Sequence, residues 1–158
     1  MDEPTPQDTP TDRCHYYQQA CGLPAGMHPE TGRIVVRAGL VWALTMPSAL
    51  GQIVKTDLEH RQIEVGPIIS HPRSQRWTFL IRPDLPEEDR LFAELFRINV
   101  SVVRFGGEIA LPSPTDQQGT FRRWVQWPNG TYRPSGVAVI DSIRRANQRD
   151  RHRVQTAP

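Results

Sequence analysis

Apolar residues recur along the chain with two periods, and each predicts a different element. Residues 33–37 and 40–45 are β-branched and apolar runs joined through Gly39, the pattern of a hairpin. Leu50, Ile53, Val54 and Leu58 then fall at i, i+3, i+4 and i+8, one apolar stripe of a helix over about 47–61. Asp57 and Glu59 fall on its polar face, where solvation is the expected role. Residues 68–70 form a short strand before Pro72. Residues 76–82 alternate as a strand, with Trp77, Phe79 and Ile81 facing a core and Arg76, Thr78, Leu80 and Arg82 facing away. Asp84-Leu-Pro-Glu87 has the spacing of a capping box, opening a helix whose buried stripe is Leu91, Phe92, Leu95 and Phe96. Residues 99–105 and 108–111 read as strands joined by a two-residue turn at Gly106-Gly107. After a polar loop over 112–120, a strand covers 121–127, and Pro134-Ser135 opens a last helix to about 146. The order predicts an α+β fold, a mostly antiparallel sheet of about six or seven strands with helices packed on it.

The ends differ from this body. Residues 1–12 are mostly Pro, Thr, Asp, Glu and Gln, too polar to build a core, and are expected to be a disordered acidic tail. One or two helical turns fit 13–21, ended by Gly22 and Pro24. A single domain is expected over 13–147, followed by a flexible tail over 148–158. Charge divides the same way: Asp2, Glu3, Asp8 and Asp12 against Arg13 give −3 at the head. Arg144, Arg145, Arg149, Arg151 and Arg153 against Asp150 give +4 near the tail. These read either as two solvated ends or as a basic segment that grips phosphate. The acidic start lacks the basic and apolar regions of a signal peptide, and no apolar run is long enough to span a bilayer, so a cytoplasmic protein with no membrane partner is expected.

Candidate chemistry is sparse. Cys14 and Cys21 are the only cysteines, read as two thiols at least partly buried or as a redox pair. Glu87, Glu88 and Asp89 are consecutive, so on a helix they splay about 100° apart and cannot converge as a catalytic pair. Ser70 and His71 are neighbours with no acid placed to orient the histidine. No phosphate-cradling glycine loop occurs. No metal site or cofactor is expected. Arginines beside aromatic rings carry more information: Arg76-Trp77, Arg122-Arg123-Trp124 and Trp127, and Tyr132-Arg133. One of Trp124 and Trp127 is expected in the core and the other partly exposed. Exposed rings and arginines on a sheet hold single-stranded nucleic acid by stacking and phosphate contact.

Between Met46 and Pro134, Pro47-Ser-Ala-Leu-Gly51, Val65-Gly-Pro, Arg76-Trp-Thr-Phe-Leu-Ile81, Gly107-Glu-Ile-Ala-Leu-Pro-Ser-Pro114, Arg123-Trp124 and Pro128 follow one another. This series resembles the later half of the bifunctional DNA primase/polymerase N-terminal domain, in its shortened stand-alone actinobacterial form. Active members use an Asp-x-Asp pair for divalent metal and a Ser-x-His element for nucleotide phosphates. Here the matching segment is Val41-Trp-Ala-Leu-Thr45, without an acid, and Arg76-Trp77 stands where the basic histidine would. Phosphoryl transfer through two metal ions needs those carboxylates. The resemblance therefore implies a catalytically silent relative that binds nucleic acid, single-stranded DNA above all. The candidate contacts are Arg76, Arg82, Arg122, Arg123, Trp127, Arg133, Arg144 and Arg145. The competing expectation is a protein-interaction or regulatory module, with a protein partner or a homodimer paired through an edge strand.

Overall fold

A computed structural model describes residues 9–116 and 121–156. The chain is α+β with every strand pairing antiparallel, as the pattern predicts, but its strands divide between two sheets instead of sharing one. Helix α1 (Pro10–Gln19) leads into β1 (Ala25–Met27), β2 (Ile34–Arg37) and β3 (Trp42–Pro47). Helix α2 (Ser48–His60) is followed by β4 (Ile68–His71) and β5 (Arg76–Ile81). Helix α3 (Asp89–Arg97) precedes β6 (Ser101–Val103), β7 (Glu108–Ala110), β8 (Arg123–Gln126) and helix α4 (Gly136–Thr156). The smaller sheet runs β1-β2-β7 and the larger β6-β3-β5-β4-β8.

Both expected hairpins are overturned. β2 pairs with β7 while β3 pairs with β5 and β6, so the chain changes sheet at Gly39. It changes back at Gly106-Gly107, between β6 and β7. The two crossings lie side by side: Ala38 N donates to Gly107 O at 2.7 Å and Gly106 N to Ala38 O at 3.0 Å. Backbone groups freed where each strand ends are thereby satisfied by the other crossing. Gly106 has φ +90, a conformation that favours glycine.

The helix boundaries also correct three expectations. Residues 10–12 belong to α1: Thr9 caps it by a reciprocal capping box with Asp12, and Pro10 suits its first turn. Residues 1–8 lie outside the described region. Asp84 does not cap α3, which starts at Asp89 without a side-chain cap. Its carboxylate instead accepts from Ser135 Oγ at 2.6 Å and Gly136 N at 2.8 Å, capping α4 fifty residues on. Helix α4 runs to Thr156, through most of the segment expected as a flexible tail.

Asp57 explains that extension, and it is buried, not solvated. It is 2% exposed, accepts from Ser142 Oγ at 2.7 Å and Arg145 Nε at 3.1 Å, and lies 3.4 Å from Arg149 and 3.6 Å from Arg61. Burial works to raise this carboxyl, but the Ser142 and Arg145 hydrogen bonds and the charges of Arg145 and Arg149 outweigh it and hold it below the usual range. Three guanidiniums thus clamp α2 to α4 through one carboxylate.

One core cluster joins buried residues of all four helices and of both sheets. Trp77, Phe79 and Ile81 are buried as expected, and Thr78 and Leu80 on the opposite face are buried too, so β5 is covered on both sides. Tyr17 anchors α1: its hydroxyl donates to Pro112 O at 2.6 Å and accepts from Trp124 Nε1 at 3.0 Å. Burial chiefly pushes this phenol up to about 12. In α3, Leu91 and Leu95 are buried but Phe96 is 78% exposed, which shortens the expected stripe.

Helix α2 approaches β5 so closely that only glycine fits at position 51. A Cβ there would sit 2.7 Å from Trp77 Cε3. Gly51→Ala should gain roughly 1 kcal/mol of helix propensity and lose more to overpacking, about 1–3 kcal/mol. A lowered melting temperature and a shifted tryptophan emission are the expected results.

Candidate nucleic-acid interface

Pairing registers bring four arginines to one end of the larger sheet. β4 and β5 meet there through residues 72–75, with His71 opposite Arg76 and Pro47 opposite Arg76 on the other side. β8 begins at the same end, Arg123 opposite Ser70. Arg73, Arg76, Arg122 and Arg123 therefore bracket the β4–β5 turn. Helix α2 starts beside it, with Pro47 at its N-cap and no side-chain cap. Its first-turn N–H groups add positive potential to the arginines.

On one face Arg76 and Arg122 flank His71. Arg76 Nη2 donates to Thr45 Oγ1 at 3.1 Å and Asn99 O at 3.0 Å, and Arg122 lies 3.5 Å from Asp116. His71 Nε2 is 2.8 Å from Thr78 Oγ1. Burial, then the charges of Arg122 and Arg76, push the imidazole down to about 4, so it is neutral at physiological pH. Arg73 stacks 3.9 Å from the Phe121 ring centroid, at the edge of this face.

The opposite face holds a cleft of about 460 Å³, lined chiefly by Ser48, Gln52, Ser70, Gln75, Trp77 and Arg123. Among the described residues, the side chains of Ser48, Gln52, Ser70, Gln75 and Arg123 make no hydrogen bond, so their donors and acceptors are available to a ligand.

His71 also leaves a mark on stability. Between about pH 6.5 and about pH 4 the unfolded chain takes up a proton there that the native state does not, so stability falls as pH is lowered through that window. His71→Asn should flatten the fall. Thermal unfolding at several pH values in this range checks it.

The remaining candidates lie elsewhere. Arg82 is exposed beyond the other end of β5, about 20 Å from Arg76 at strand rise. Trp127 is half-buried past the far end of β8, with Arg13 5.4 Å over its ring and Trp124 beside it at 5.7 Å. Its neighbouring cleft carries Glu59 and Glu64, which repel phosphate. Trp124 is the core tryptophan of the two. Arg133 Nη1 donates to Cys21 O at 2.9 Å, Arg144 grips Glu94 bidentately at 2.8 and 2.9 Å, and Arg145 serves Asp57. These three are fold contacts first. Cys14 and Cys21 are free and buried. Burial pushes both thiols up, the protonated state that reacts least with oxidants. Arg73 and Gln75 were missed in the sequence because their role comes from the β4–β5 turn, not from an aromatic neighbour in the chain.

Among the described residues no three His, Cys, Asp or Glu side chains gather as metal ligands, and no helix is long and apolar enough to cross a membrane. Comparison with family models, curated proteins and solved structures finds no match.

Proposed function

We propose that the chain is a non-catalytic nucleic-acid-binding domain that grips single-stranded DNA at the β4–β5 end of its larger sheet. The observation that carries this reading is that Arg73, Arg76, Arg122 and Arg123, from two chain segments, lie at one end of the sheet where, among the described residues, the acid paired with one of them is Asp116, 3.5 Å from Arg122. Guanidiniums bind phosphate bidentately and keep their charge at every physiological pH. The cleft behind Arg123 suits an unstacked base, which a single strand presents and a duplex does not. The resemblance to shortened primase/polymerase domains, with no acid in this chain's matching segment Val41-Trp-Ala-Leu-Thr45, points the same way. Among the described residues no carboxylate pair joins the cluster, so this end has arginines to hold phosphates but no described ligand set for the two cations of phosphoryl transfer.

Fluorescence anisotropy with a labelled single strand and with a duplex of equal length tests the reading. Tighter binding of the single strand is expected. Equal or tighter binding of the duplex would remove the role given to the cleft, and no binding of either would remove the function.

A further inference from the structure

We propose that the outer edge of β6, with the groove between it and α3, docks an extended acidic peptide of a partner protein as an added strand. β6 closes one side of the larger sheet and pairs only with β3, through Ser101 with Thr45, Val102 with Leu44 and Val103 with Ala43. Its other edge faces no strand among the described residues. Backbone N–H and C=O groups on such an edge are the template for strand addition.

A groove of about 170 Å³ runs beside this edge, lined by Phe92 and Phe96 of α3, Val100, Ser101, Val102 and Arg104. Helix beside edge strand is the arrangement in which an added strand gains backbone hydrogen bonds on one side and a side-chain groove on the other. Phe96 is 78% exposed and Phe105, two residues past β6, is 83% exposed. A single exposed ring is ordinary, but two rings bracketing an unpaired strand form an apolar surface suited to a partner.

Charge selects the partner. Arg97 ends α3 and Arg104 follows β6, and both are exposed. The Arg104 guanidinium lies 4.2 Å from the Phe92 ring centroid, at the groove wall. Glu94, one turn away on α3, is held bidentately by Arg144. The rim is thus cationic, complementary to acidic residues alternating with apolar ones that enter the groove. A second copy paired two-fold through β6 would set each Arg104 opposite the other copy's Val100, so it offers no acid to this cationic rim.

The test uses the full chain and a labelled, end-blocked peptide alternating aspartate with valine and phenylalanine. Anisotropy should show saturable binding, and backbone amide shifts should concentrate at 92–97 and 101–104. Phe96→Ala and Arg104→Glu, both at exposed positions, should each weaken binding roughly tenfold, the loss of one hot spot. A peptide N-methylated at alternate residues should lose binding similarly, since it cannot donate to the edge. Equal binding of a lysine-for-aspartate peptide or of the N-methylated peptide would overturn the proposal. So would shifts confined to the β4–β5 end, competition by an oligonucleotide for residues 101–104, or no saturable binding at millimolar peptide.

Discussion

Replacing Asp57 with alanine should cost about 2–3 kcal/mol, the scale of hydrogen bonds to a charged group. The melting temperature should drop by roughly 5–10 °C. The carboxylate is the shared partner of Ser142, Arg145, Arg149 and Arg61. Severing a buried ion pair costs about 3–5 kcal/mol when the orphaned charge stays buried. Here Arg145 and Arg149 are 50% and 62% exposed and can return to water, which sets the smaller figure. The C-terminal part of α4, held to α2 by these contacts, should lose amide protection before the rest of the domain. Linkage adds a second signature. The Asp57 carboxyl is held below its ordinary value, so its contribution is complete above the unfolded pKa of about 3.9 and is lost as pH falls through the lowered folded value. Asp57→Asn should therefore be less stable at neutral pH and show a shallower acid loss than the native chain. Denaturant unfolding across pH 2–7 measures both.

Reversing two charges, Arg73→Glu with Arg123→Glu, should weaken single-strand binding by roughly thirtyfold or more near 0.1 M salt. Each phosphate contact to a single strand contributes a salt slope of about −0.7, so at this salt two lost contacts remove about 1.4 decades before repulsion is added. Both side chains are exposed, and neither bears a hydrogen bond that the fold depends on, so melting should hardly change. Arg82→Glu changes charge equally at the far end of β5 and should alter affinity less than the double variant by an order of magnitude. Equal effects would mean that net charge, not the β4–β5 end, governs binding.

Which of these features the sequence discloses follows from the range of the forces involved. Helix α2 is legible because Leu50, Val54 and Leu58 meet the core along one stripe, a local periodicity, although Ile53, expected in that stripe, is exposed. The strands are legible as strands, since alternation at Arg76–Ile81 is also local, but their partners are not. Val35 pairs with Ala110, seventy-five positions away, and nothing in a period of two names that partner. Asp84 shows how a local signal loses to a distant one: its spacing to Glu87 fits a cap for α3, yet Ser135 and Gly136 claim the carboxylate. Ser142, Arg145 and Arg149 lie three and four apart, so the helical extension was written in the basic segment. Its purpose becomes visible only with Asp57 buried opposite. Of the candidate arginines, Arg76, Arg122 and Arg123 lie at one end of the larger sheet, Arg76 and Arg122 on one face with internal partners and Arg123 on the other. Arg133, Arg144 and Arg145 are drawn into internal contacts by carbonyls and acids remote in the chain.

The salt dependence of single-strand affinity tests the central claim most directly. Three or four guanidiniums engaging phosphate at the β4–β5 end give a slope of log affinity against log salt of about −2 to −3, reduced by about 1.4 in the Arg73→Glu, Arg123→Glu chain. A slope near zero, or the same slope in the double variant, would contradict it.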